Sequence, residues 1–111
     1  MAEEKHDYVV LTDANFDEKT KNGNWIVDMW APWCGPCRLV GPVIEVLGKE
    51  YRGKLHVGKV NVDENSSTAE KFGVMSIPTI LFIKDGEKLE ELIGARPKES
   101  YVEKISELFG V

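Results

Sequence analysis

At 111 residues with 42% hydrophobic residues, the chain suits one domain over 1–111 and can bury a core without disulfide staples. A formal net charge of −5 argues against nucleic acid as a general partner, because phosphate binding needs a basic surface. No apolar run approaches the roughly 18 residues that span a bilayer, and MAEEKHDYVV lacks the basic start and apolar core of a secretory signal, so the expectation is a cytoplasmic protein away from membranes.

YVVLT (8–12) reads as a short β-branched strand. Thr12 and Asp13 are good caps for a helix over 14–21, closed by KNG (21–23). NWIVDMW (24–30) reads as a strand buried on both faces, since Ile26, Val27 and Met29 do not alternate with polar residues. A long helix follows, with Leu39, Val40, Val43, Ile44, Leu47 and Tyr51 at helical spacing, Pro42 expected to kink it, and Gly53 at its end. KLHVGKVNVD (54–63) is a third strand. A short helix near 67–72 opens at Ser66 or Ser67 and closes at Gly73. TILFIK (79–84) and EKLEELI (87–93) flank Asp85-Gly86, a strong two-residue hairpin signal. Leu89 and Leu92 are out of phase for one strand face, which suggests a bulge. Pro97 opens a last helix with Tyr101, Val102, Ile105, Leu108 and Phe109 on one side. The order β-α-β-α-β-α-β-β-α predicts an α/β fold, a central mixed β-sheet with helices on both faces.

The only two cysteines, Cys34 and Cys37, lie two residues apart in WCGPC. A structural disulfide would add roughly 2 kcal/mol for so short a loop, little to a domain with its own core. A zinc site wants four ligands; there is no second pair, and His6 and His56 stand in no ligand spacing. A zinc shared between two chains stays open. A dithiol cycling with a disulfide fits the position best. Cys34 falls where a strand gives way to a helix, and there free N–H groups and the helix dipole favour a thiolate, the attacking species. Pro36 suits the first turn, and Cys37 lies one turn on, placed to resolve a mixed disulfide. Cys34 is expected to be partly exposed and Cys37 shielded.

VDMWAPWCGPCR (27–38) resembles the active-site segment of the thioredoxin family, and the likeness continues through Pro42, KVNVDEN (59–65), SIPT (76–79), KDGE (84–87) and Ile93-Gly94-Ala95. The ordered set spans nearly the whole chain. The resemblance implies the thioredoxin fold and a protein-disulfide reductase, without cofactor or metal beyond the Cys34–Cys37 disulfide. Its implied partners are a thioredoxin reductase and client proteins with disulfides, and the expected state is a monomer. Gly35-Pro36 between the cysteines points to a reductant, since a histidine there would make the disulfide more oxidising.

The resemblance also assigns roles. Asp28 matches a buried aspartate that exchanges a proton with Cys37, and Lys59 would be its strand neighbour; the plainer alternatives are a wet strand-end carboxylate and a surface lysine. If Asp28 is buried, desolvation should outweigh Lys59 and raise its pKa by about 3 units. Trp33 would shield the site and touch partners, while Trp30 packs beside it. The Ile77–Pro78 bond would be cis and face the cysteines, leaving the Ile77 backbone free to pair with a substrate strand. Ile93, Gly94 and Ala95 would complete an apolar docking surface with Gly35 and Pro36. Arg38 is either a thiolate-favouring cation or a solvated helix charge. Met75 lies near that surface without an assignable effect.

Overall fold

The computed structural model describes residues 7–111, so His6 lies outside the described residues. The elements run β1 (Val9–Val10), α1 (Phe16–Thr20), β2 (Asn24–Trp30), α2 (Gly35–Glu50), β3 (His56–Asn61), α3 (Ser66–Lys71), β4 (Thr79–Lys84), β5 (Glu87–Ile93) and α4 (Lys98–Phe109), in the predicted order. The sheet order is β1-β3-β2-β4-β5. β1, β3 and β2 are parallel, and β4 and β5 add antiparallel pairs. β2 is therefore central, which is why five consecutive residues, Trp25 to Met29, are buried.

One face of the sheet carries Ile26, Val57, Ile80 and Phe82 against Val40, Ile44 and Leu47 of α2 and Tyr101, Ile105 and Phe109 of α4. The other carries Trp25, Val27, Met29 and Val60 with Phe16 of α1, and Ala69 of α3 packs against it. Side chains alternate along a strand, so Asp28 belongs to the row of Ile26, on the α2–α4 face.

Several local expectations are corrected. The regular helix α1 starts one residue after Asn15, whose side chain caps no helical N–H; Thr12 does the capping, in a reciprocal pair in which Asn15 N–H donates to Thr12 Oγ1 (3.2 Å) and Thr12 N–H to Asn15 Oδ1 (2.7 Å). Asp13 instead caps α3 from 55 residues away, accepting Thr68 N–H at 2.8 Å and the Thr68 hydroxyl at 2.7 Å. That hydroxyl hydrogen bond holds the Asp13 carboxyl below its ordinary range. α2 holds Pro42 inside one continuous helix, as expected, and its buried stripe is Cys37, Val40, Gly41, Ile44, Leu47 and Gly48. Leu39 is off that stripe and 72% exposed.

The hairpin follows its sequence signal. Asp85 and Gly86 both take positive φ, 49° and 86°, as a type I′ turn requires. Phe82 pairs with Glu90 and Ile83 with Lys88, so Leu89 is the extra residue of a bulge.

Gly58 of β3 has a packing reason. A Cβ there would stand 2.3 Å from Leu11 Cδ1 and 3.0 Å from Leu11 Cγ, and Leu11 is fully buried. Gly58→Ala should lower stability by about 1–3 kcal/mol through overpacking, read as a lower urea midpoint at unchanged m-value.

Candidate active site

β2 ends at Trp30, and the chain turns through Ala31-Pro32-Trp33 into α2. Cys34 is the N-cap of α2, with extended backbone (φ −88°, ψ 110°) and its N–H donating to Ala31 O at 3.1 Å. Gly35 and Pro36 occupy the first turn, where proline's missing N–H removes no helix bond. The Cys37 N–H donates to Cys34 Sγ at 3.2 Å, the place an oxygen takes in an ordinary N-cap. A thiolate at Cys34 would thus meet a backbone donor and the positive end of a 16-residue helix.

Cys34 and Cys37 are joined as a disulfide, with Cα atoms 5.3 Å apart. Both are buried, at 4% and 5% exposure, packed with Ala31 and against Trp30, Val62 and Ile77. The expected contrast between an exposed Cys34 and a shielded Cys37 is absent from this state, because one bond holds the two sulfurs in the same apolar contact.

Asp28 is 1% exposed, and its Oδ1 is buried without a hydrogen-bond partner. Burial pushes its carboxyl up to about 6, opposed by the Lys59 charge and assisted by that of Glu45. Desolvation wins as expected, although the rise is smaller than three units. Lys59 is the register partner of Asp28 across the parallel β2–β3 pair, so both side chains share one face. Its ammonium, however, is bonded to Glu45 of α2 and lies 4.7 Å from the ring centroid of Tyr8. A cavity of about 490 Å³ brings together Asp28, Cys37, Lys59, Glu45, Trp30 and Pro42.

On the other side of the disulfide, Trp33 is 68% exposed and its indole N–H donates to Asp63 Oδ2 at 3.0 Å. Trp33, Val62, Ala69, Val74, Met75 and Ile77 line a groove of about 510 Å³. Met75 is 95% exposed on its rim. The Ile77–Pro78 bond is cis. Among the described residues, neither the N–H nor the C=O of Ile77 has a hydrogen-bond partner. Gly94, at φ 88°, donates its N–H to Pro78 O at 2.8 Å, so the Ile93-Gly94-Ala95 turn is tied to the Pro78 segment. Ile93, Ala95, Gly35 and Pro36 are exposed. Arg38 is exposed and donates to Pro32 O at 3.1 Å, closing the WCGPC loop.

Three groups escaped the sequence reading. Glu45 had a signal: it is four residues from Gly41 and eight from Cys37, an acid at the buried helical spacing of α2. Asp63, which holds Trp33, and the Asp13 cap of α3 had none, since each pairs across 30 or more residues. For metal, His56 stacks on Trp25 with ring centroids 4.8 Å apart, five residues down β3 from the site end, about 16 Å along a strand. Among the described residues no group of three or more His, Cys, Asp or Glu could hold a metal ion, and no helix is long and apolar enough to cross a membrane.

A disulfide-bonded cysteine pair on the N-terminal turn of a helix, led in by the central strand of a mixed sheet, defines a dithiol–disulfide exchange domain. Comparison with known proteins narrows the class. The Thioredoxin family model matches residues 7–107. A thioredoxin of Staphylococcus haemolyticus is 52% identical over 95 residues, covering 86% of this chain and 91% of its own. Thioredoxins of Staphylococcus saprophyticus and Staphylococcus aureus are each 50% identical, over 97 and 95 residues, covering 87% and 86% of this chain and 93% and 91% of theirs. The chain belongs to the thioredoxin family. It is a protein-disulfide oxidoreductase that works by thiol–disulfide exchange and needs no cofactor beyond its active-site disulfide.

Proposed function

We propose that residues 1–111 act as a single thioredoxin domain, monomeric and cytoplasmic, that reduces client protein disulfides with Cys34 as nucleophile and Cys37 as resolving thiol. The Cys34 thiolate attacks one sulfur of a client disulfide; a mixed disulfide forms and a client thiolate leaves. Cys37 then loses its proton to Asp28 and attacks Cys34 Sγ. The Cys34–Cys37 bond forms, the second client thiolate leaves, and two electrons have passed to the client. A separate thioredoxin reductase returns two electrons to the pair. Lys59 tunes Asp28 across the β2–β3 register.

The observation that carries the order of attack is the Cys37 N–H aimed at Cys34 Sγ, a donor that stabilises a thiolate at Cys34 and not at Cys37. The unpaired Oδ1 of Asp28, in one cavity with Cys37, supports its role as proton acceptor. The unpartnered Ile77 backbone beside the disulfide supports pairing with a client strand, with Trp33, Gly35, Pro36, Pro78, Ile93, Gly94 and Ala95 as the docking surface around it. Both sulfurs and Asp28 come from one chain, which supports action as a monomer. A reducing compartment is where such a dithiol stays supplied with electrons.

The test is the reduction potential of the pair together with dithiol-driven reduction of insulin disulfides. A strongly negative potential and faster insulin reduction are expected. A potential near that of an oxidising catalyst would overturn the reductant reading.

A further inference from the structure

Asp28 has a cation beside it in the register, yet takes no ion pair among the described residues. The reason lies on α2. Lys59 reaches across the cavity to the Glu45 carboxylate, with the Tyr8 ring beneath its ammonium. Gly41, one turn before Glu45, lies alongside that reach: a Cβ there would meet Lys59 Nζ at 3.4 Å, in van der Waals contact.

We propose that Glu45 is a positioning residue for the exchange reaction: its carboxylate holds the Lys59 ammonium on the α2 side of the cavity, which leaves the Asp28 carboxyl free to take the Cys37 proton. This rests on the reading of Asp28 as proton acceptor. An ammonium bonded directly to Asp28 would make it a poor acceptor, since an opposite charge within about 4–6 Å lowers a carboxyl pKa by 1–3 units. Bonded to Glu45, the ammonium presents Asp28 with a cation and an anion whose fields partly cancel.

The other ionisable groups facing this space are few. Arg38 of α2 and Glu64, after β3, line the cavity rim. Tyr101 of α4 lies in the core on the same face of the sheet, its hydroxyl accepting the Arg96 N–H at 3.3 Å, and its phenol is raised chiefly by burial, with the Asp28 charge adding to the rise. On β4 the residue opposite Asp28 is Ile80, which brings no charge.

The experiment follows the Asp28 side-chain carboxyl by ¹³C NMR titration, alongside the pH profile of insulin-disulfide reduction. The variants are Glu45→Gln, Glu45→Asp and Asp28→Asn. In Glu45→Gln the Asp28 midpoint should fall by about one unit or more, as the Glu45 charge is lost and Lys59 turns to Asp28. The acid limb of the rate should move the same way, and Glu45→Asp should restore both towards the parent values. An unmoved Asp28 midpoint in Glu45→Gln overturns the proposal; if Asp28→Asn still slows reduction, Asp28 remains the acceptor. A midpoint that moves while the rate profile stays fixed, with Asp28→Asn as fast as the parent, removes Asp28 from the chemistry and overturns the proposal with it.

Discussion

Asp28→Asn should stabilise the oxidised protein by about 3 kcal/mol at pH 8 and by almost nothing at pH 4. The figure is the rise of the Asp28 carboxyl from 3.8 to about 6, at about 1.4 kcal/mol per unit. The folded-state pKa lies above the unfolded one. Stability from this group is therefore fully present below about pH 4, and is lost as pH climbs through the folded value near 6. An asparagine carries no charge at any pH, so its advantage opens across that window and then stays level. Urea unfolding of the oxidised parent and variant at pH 4, 6 and 8 reads this directly. A gain independent of pH would mean that the carboxylate is not the source. The same variant should slow client release roughly 10²-fold, the usual contribution of one positioned base. Greater stability with lower activity separates this residue from ordinary core positions, where both fall together.

Cys37→Ser should abolish turnover and accumulate a covalent adduct with client proteins, whereas Cys34→Ser should abolish turnover and accumulate none. In the first variant the Cys34 thiolate still meets the helix N-terminus and can attack, but no second sulfur lies one turn away to expel the client. In the second, the remaining sulfur has lost the neighbour whose capped position favours the thiolate. Non-reducing gels after incubation with a disulfide-bonded client distinguish the two. Adducts from Cys34→Ser would reverse the assigned order. In the reduced parent, Cys34 should be alkylated first despite the near-equal burial of the two residues in the disulfide, because the rate follows thiolate fraction as well as access.

Much of this molecule is legible where local chemistry and tertiary packing agree. NWIVDMW and TILFIK are the most evenly apolar stretches and both become inner strands, and the bounds of NWIVDMW as β2 match the predicted ones. Asp85-Gly86 announces its turn because both residues tolerate positive φ. The cysteine pair at a strand-to-helix junction carries its own chemistry. Legibility fails where a side chain has several equally good local uses. Thr12 and Asp13 are both competent caps for α1; Thr12 takes that place, and Asp13 is drawn off to α3, half the chain away. Leu39 shares the helical spacing of the core residues but falls outside their stripe. Lys59 stands beside Asp28 in the register, and only the fold brings Glu45 within reach to divert it.

The strand order has a bearing on how the molecule is made. β2 lies between β3 and β4, and β4 begins at Thr79. As the chain leaves the ribosome, both cysteines emerge early, while one long side of β2 still has no partner. Until Thr79–Lys84 arrive, that side is a row of open backbone donors and acceptors, the kind of edge that invites pairing with other chains. Ile77, which packs against the disulfide, arrives only just before them. The dithiol is thus present as bare chemistry from the emergence of Cys37 until Thr79 arrives, and becomes a shaped reagent only with the last third of the polypeptide.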